Sequence, residues 1–524
     1  MSAANLDEAL KLKKKGNELF KAAKYDDSIE CYTKAIRICD CKENDHLSVF
    51  YCNRALASYR LQRYYSAVDD CTQAILLNCK YVKPLYYRYK AQKALSLLSD
   101  AVADITAVCV LQRDSDPAMV AERDQLLLFF SGMKAQQLTM KLPRIRLPEY
   151  EIKKYFRSFT SHPLFDGSFN GEKIFQLFED IQRSQNVVNR EAKLGLIEGT
   201  IYFLNGKNSF PGLFILEKAV SDVVNDLKLK IICLIQLANL KANLLKHVPT
   251  SQEGMQDVLN TFHRALQLSS DNVNILYHRA KFYFAFGLFD KGFADLRHCL
   301  SIDSSFEPPR VMQFSQRLNY AMRQHDLRDM VKIFKDIESF IDYNPRSSEV
   351  CYLYSLLMLE QEHLEKADEY ASRALKADDK NPKLYMLKAE LAAALSSDIR
   401  SGMKYTLKAI EVNNRSLPAF ELMSLMVAES GNITEAIVYT DKAIANIRDV
   451  LDCTRLCCLR ELYISRLNAC KILGLSYSNA KFTPVNEYMK KIFFAMLDAY
   501  ENCKKPPQIR ERERLTWEFF NSAI

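Results

Sequence analysis

Apolar side chains along this chain recur at three- and four-residue intervals, in runs parted by short polar breaks. That spacing lets one stripe of each run be buried as a helix. Seven of the runs share a further feature: YDDSIECYTKAI, YYSAVDDCTQAI, LSDAVADITAVC, FDKGFADLRHCL, LEKADEYASRAL, IRSGMKYTLKAI and ITEAIVYTDKAI. Each is led by a small residue, namely Ser28, Ala67, Ala101, Gly292, Ala367, Gly402 and Ala436. Ala67 to Ala101 is 34 residues, Ala367 to Gly402 is 35, and Gly402 to Ala436 is 34. Twelve residues before the leading position stands a second small residue: Gly16, Ala55, Ala280, Ser355 or Ser424. Small residues on both partners let two helices cross closely, so each period predicts a helix pair.

A period near 34 with two helices per unit is the signature of the tetratricopeptide (TPR) repeat. The predicted fold is all-α, a TPR α-solenoid in two blocks with about ten to eleven helix pairs and a C-terminal capping helix. Residues 1–114 read as three repeats and 115–184 as a linker with connecting helices. Residues 185–472 read as the second block, degenerate at first and interrupted near KHVPTSQEG. The linker assignment rests on KLPRIRLPEYEIKKYFRSFTSHPLFDGSF, where prolines 143, 148 and 163 break the period. In 473–524 the segment PVNEYMKKIFFAMLDAY reads as an amphipathic end cap, and KKPPQIRERER as a charged tail.

Composition narrows the function classes. Apolar residues make up 48% and charged residues 26%, and glycine (14) and proline (15) are scarce, which suits a helical globular chain. The net charge of +8 is small against 136 charged side chains (72 + 64), so it gives no footprint for nucleic acid. The 15 cysteines lack any CxxC pair and read as buried thiols of a reducing compartment, with no metal and no cofactor. No run is apolar enough to span a bilayer, and the N-terminus lacks a signal-peptide pattern. Phosphate loops, HExxH and nucleophile motifs are missing as well, so the expected protein is not an enzyme.

The first helix of each repeat lines the concave face of a TPR stack and can bind an extended peptide. Lys13 and Asn17 stand four apart in the first unit, Asn53 two before Ala55, and Lys83 at the head of the third. Singly these are ordinary helix-surface residues. Together, two ammonium groups and two amides suit a terminal carboxylate with a neighbouring acidic side chain. The set resembles the dicarboxylate clamp of TPR co-chaperones, which holds the Glu-Glu-Val-Asp terminus of the seventy- and ninety-kilodalton heat-shock chaperones. That resemblance implies a fifth member, an arginine, where this chain has Tyr87. A charge-assisted hydrogen bond contributes roughly 1.5–3 kcal/mol, so its loss weakens a peptide by ~10- to ~150-fold. Arg88 is adjacent but turned by about 100°. Tyr89 replaces a small residue, which predicts a splayed third unit.

Three N-terminal repeats, the phrase LPEYEIKKYFRSFTSHP and the later NILYHRAKFYFAFGLFDKGFADL together resemble the seventy-kilodalton receptor of the mitochondrial outer-membrane translocase. The resemblance implies an import receptor that takes preproteins from chaperones and passes them to other translocase subunits. It implies a preprotein groove in the second block, where the expected lining is Tyr277, His278, Lys281 and Phe284. Tyr277 and Phe284 read equally as side chains packed between helices. Members of that family begin with a membrane anchor, whereas here the first repeat begins almost at Met1. The expectation is a protein of the cytoplasm or held peripherally on the mitochondrial outer membrane. The alternative is a cytosolic TPR co-chaperone or scaffold with no mitochondrial role.

Overall fold

A computed structural model describes residues 3–39, 44–139, 149–164, 173–184, 187–205, 210–245, 252–324, 326–396, 398–447, 450–480 and several positions from 482 to 489. Among these residues every element is a helix. In chain order they are α1 (Ala3–Lys21), α2 (Tyr25–Ile38), α3 (Asn44–Arg60), α4 (Tyr64–Leu77), α5 (Val82–Ala94), α6 (Leu98–Leu111), α7 (Pro117–Thr139) and α8 (Glu149–Arg157). Next come α9 (Lys173–Arg183), α10 (Arg190–Asn205), α11 (Phe210–Asp222), α12 (Leu227–Leu245), α13 (Gln252–Leu268), α14 (Val273–Ala285), α15 (Phe289–Ile302) and α16 (Glu307–Gln324). The last are α17 (Leu327–Tyr343), α18 (Ser348–Glu360), α19 (Leu364–Ala377), α20 (Pro382–Ser396), α21 (Ile399–Val412), α22 (Leu417–Glu429), α23 (Ile433–Ile444) and α24 (Val450–Leu473). None of these helices is long and apolar enough to cross a membrane.

The small residues do what their spacing predicts. The Ser355 hydroxyl reaches the Ala367 carbonyl at 2.6 Å, and Ser424 reaches Ala436 at 2.9 Å, across the twelve-residue interval. A Cβ on Gly16 would lie 2.6 Å from the Tyr32 ring, and one on Gly292 2.7 Å from Phe284. Five residues before six of the seven leading small residues the chain turns through left-handed backbone. The residues there are Ala23, Gln62, Ser96, Gly287, Glu362 and Gly431, with φ between 58° and 94°. Each first helix ends there in a Schellman turn, whose outer bond is Arg63 N–H to the Ser58 carbonyl (2.9 Å) and His363 N–H to Met358 (2.9 Å). A side chain with a Cβ is strained there by about 1–2 kcal/mol. Glu362→Gly is therefore expected to stabilise by up to about 1 kcal/mol after the added freedom of the unfolded chain is subtracted. A thermal midpoint that falls instead would place no strain at this turn.

A buried arginine–aspartate pair ties the helices of three repeats. Arg54, Arg88 and Arg279 each stand one residue before the small position of a first helix and grip an aspartate 16 residues on. The partners are Asp70, Asp104 and Asp295, each held by two nitrogens at 2.6–2.9 Å. In two of them a further nitrogen reaches the preceding repeat, from Arg54 to Thr33 and from Arg88 to Thr72, both at 3.1 Å.

The chain divides into two compact units, and the divide differs from the expected boundaries at 114 and 472. The first unit holds α1–α7 together with α23 and α24. Its α24 packs on α6 and α7. Ala469 and Leu473 join Ile75, Leu85, Ala107 and Val108 in one apolar cluster. Glu461 of α24, 3% exposed, accepts from Lys134 of α7 at 2.7 Å. The second unit holds α8–α21, with the divide falling inside α22.

Of the expected linker, α7 belongs to the first unit, and residues 149–164 are a packed element of the second. Ile152, Tyr155, Phe156 and Phe159 sit at the spacing of one helix face and are buried with residues of α10–α14. Asn274 fixes the following turn by accepting from the Thr160 N–H at 2.8 Å. Most of the expected capping helix and the whole charged tail lie outside the described residues. No disulfide joins the described cysteines, and all but Cys79 are buried.

Candidate functional site

The clamp candidates come together in the first unit. Tyr32 rises from α2 through the gap that Gly16 leaves on α1, and its hydroxyl donates to Asn17 Oδ1 at 2.8 Å. Asn53 of α3 donates from Nδ2 to the same oxygen at 3.2 Å. With Oδ1 held twice, Asn17 keeps its Nδ2 hydrogens as the donors it can offer a ligand. Lys13 lies one helical turn before Asn17 and is half-buried, and Lys83 opens α5 and is exposed. Neither ammonium has a salt bridge among the described residues, which suits cations waiting for an acidic partner.

Tyr87 occupies the fifth position, half-buried on α5. Burial raises its phenol above the ordinary range, while Lys90 and Arg60 pull it back, so the hydroxyl stays neutral and can donate once. Cys52 of α3 is buried, which pushes its thiol up to about 11 against the pull of the Tyr81 hydroxyl and Lys83. Arg88 points away, into its bidentate pair with Asp104. At the expected small position Tyr89 has its ring fully enclosed, and its hydroxyl donates to Glu122 of α7.

The candidates in the second unit behave otherwise. Tyr277 is buried against Phe306, with ring centroids 5.6 Å apart, and Phe284 against Phe293, at 5.0 Å. His278 is enclosed, stacked 4.5 Å from the Phe159 ring and 3.1 Å from Asn239 Nδ2. Burial holds its imidazole neutral, well below the ordinary range. Of the four only Lys281 is exposed, with its ammonium 5.8 Å from the Tyr277 ring centre. Three of the expected groove residues are thus enclosed side chains: Tyr277 and Phe284 pack with Leu296, Cys299 and Phe306, and His278 packs against the segment that follows α8.

Sequence reasoning missed Tyr32, which braces Asn17. The signal was present, since a glycine at position 16 on a helix makes room for a large neighbour from the paired helix. Among the described residues no cluster of His, Cys, Asp and Glu could hold a metal ion.

No protein-family model matches the chain. Over 500 residues it is 28% identical to the mitochondrial import receptor subunit TOM70 of Rattus norvegicus, covering 91% of this chain and 82% of that protein. The human TOM70 subunit is likewise 28% identical over 510 residues, covering 90% and 81%. Among solved structures, yeast Tom70 matches 88% of this chain and 96% of its own, at 19% identity and a TM-score of 0.49.

Proposed function

We propose that this chain is a non-enzymatic TPR receptor of the mitochondrial import type, whose first unit binds the acidic C-terminal peptide of a heat-shock chaperone. Similarity to import receptor subunits across about nine-tenths of the chain supports that reading. The observation that carries the peptide site is the paired amides of Asn17 and Asn53 between the unbridged Lys13 and Lys83. A terminal carboxylate accepts from amide donors, and the two ammonium groups neutralise it and an adjacent acidic side chain. On the same reading the chain works at the mitochondrial outer membrane or in the cytoplasm beside it. It receives preproteins from the chaperone and delivers them to other translocase subunits, with the client site in the second unit.

The test is a titration of the full chain with a labelled peptide ending in Glu-Glu-Val-Asp, with a free or an amidated C-terminus. The full chain is needed because α24 covers α6 and α7. Micromolar binding of the free acid is expected, lost on amidation and weakened ~10-fold or more by Lys13→Ala or Lys83→Ala. Tyr87→Arg is expected to tighten it. Equal binding of acid and amide would exclude a carboxylate clamp. Binding of the chaperone peptide without any binding of carrier-type preproteins would favour a cytosolic co-chaperone instead.

A further inference from the structure

Arg60 is a cation of this groove that the clamp resemblance does not include. It closes α3 seven residues after Asn53. Two turns of helix, about 10.5 Å, separate the two positions on one face. The next first helix, α5, carries Lys83 and Tyr87 and packs directly on α3. Arg60 is exposed, and its side chain has no salt bridge or hydrogen bond among the described residues. Lys90 is the other cation whose field lowers the Tyr87 hydroxyl. Lys90 is already engaged, with its ammonium 4.4 Å from the Tyr86 ring centre.

We propose that Arg60 supplies the guanidinium that Tyr87 lacks, binding a carboxylate of the acidic peptide from the next position along α3, with the Tyr87 hydroxyl as a neighbouring donor. The proposal rests on the peptide-binding reading of this groove. It is physically reasonable because arginine's planar fork matches a carboxylate and its long stem lets it act from two turns away. An exposed arginine with no internal partner also loses little on changing its direction to meet a ligand. The groove therefore keeps its count of cationic donors while moving one of them to a different helix.

The experiment titrates the same free and amidated peptides against the full chain and against Arg60→Ala, Arg60→Lys, Tyr87→Arg and the Arg60→Ala/Tyr87→Arg double variant. Arg60→Ala is expected to weaken the free-acid peptide ~10-fold or more, and Arg60→Lys to recover part of the loss. In the Tyr87→Arg background the same Arg60→Ala change is expected to cost less than ~3-fold, because the guanidinium is back on α5. Unchanged circular dichroism separates these effects from misfolding. If the parent binds the acid and not the amide while Arg60→Ala binds equally well, Arg60 has no such role and the peptide site stands. An equal loss in both backgrounds would make Arg60 a general charge contributor and overturn the replacement. No binding by the parent would remove the peptide site and this role together.

Discussion

Arg88→Ala is expected to lower the unfolding free energy of the first unit by about 3–5 kcal/mol, far more than the loss of a surface arginine. Asp104 is 1% exposed, and burial already pushes its carboxyl above the ordinary range in spite of Arg88. Arg88 supplies two short bonds to it, at 2.7 and 2.8 Å, and a third to Thr72 at 3.1 Å. Truncation leaves a carboxylate enclosed between α5 and α6 without its counter-charge, and also frees the tie to α4. Removing both charges with Arg88→Met and Asp104→Leu is expected to recover most of the loss, because no orphaned charge remains. The exposed Arg63–Asp26 pair, 53% and 67% exposed, is the control, and Arg63→Ala is expected to cost less than about 1 kcal/mol. Urea unfolding measures all four proteins. An Arg88→Ala cost as small as that of Arg63→Ala would show that the pair contributes no more than a surface bridge.

The same pair shows how much of the fold the sequence carries. The period, the small residues and the left-handed turn positions are all local, and each recurs at a fixed offset from the leading small residue. The Arg–Asp offset of 16 recurs as well, in NRA with DD and in HRA with AD, but it becomes meaningful only once two helices are known to cross there. Residues 149–164 were legible in part: Ile152, Tyr155, Phe156 and Phe159 spell one apolar helix face despite the prolines around them. What hid their packing was the lost period. The docking of α24 had no local signal at all, since Lys134 and Glu461 lie 327 residues apart in the chain.

The candidate sites divide on the same ground. Lys13, Asn17, Asn53 and Lys83 were readable because polar residues at a shared register of otherwise apolar pairs mark one face. On α14 the buried set includes Ile275, Leu276, Tyr277, His278, Ala280, Phe282, Tyr283 and Phe284. Such a helix is apolar almost all round, so periodicity cannot say which side faces solvent. Arg60 was hidden for the opposite reason. A lone arginine at a helix end is an ordinary surface residue until its neighbours across α5 are known.

The buried histidines at the seat of α8 lead to the second large effect, an acid transition in the second unit. His162 is packed by the rings of Tyr155, Phe156 and Phe159, and its Nδ1 accepts from the Leu164 N–H at 3.2 Å. The proton of the neutral ring therefore sits on Nε2, which is buried without a partner among the described residues. A second proton would have to enter at Nδ1 and break the Leu164 bond. Burial lowers His162 from 6.5 to about 3, and it lowers His278 well below 6.5, with Lys281 and His162 adding to the effect. Because the folded values lie below the unfolded ones, the stabilisation is fully present above pH 6.5. It is lost as the pH falls toward the folded values. A histidine held neutral costs about 1.4 kcal/mol per pH unit, so going from pH 7 to pH 5 removes about 2 kcal/mol through His162, and His278 acts in the same direction. Glu360 of α18, whose carboxyl burial raises to about 7, takes up its proton over the same interval and offsets part of that loss, so the histidine share is isolated by substitution. His162→Leu is expected to lose about 2 kcal/mol less than the parent between pH 7 and pH 5 in urea unfolding, and an equal loss in parent and variant would mean that the His162 ring is not held neutral by its burial.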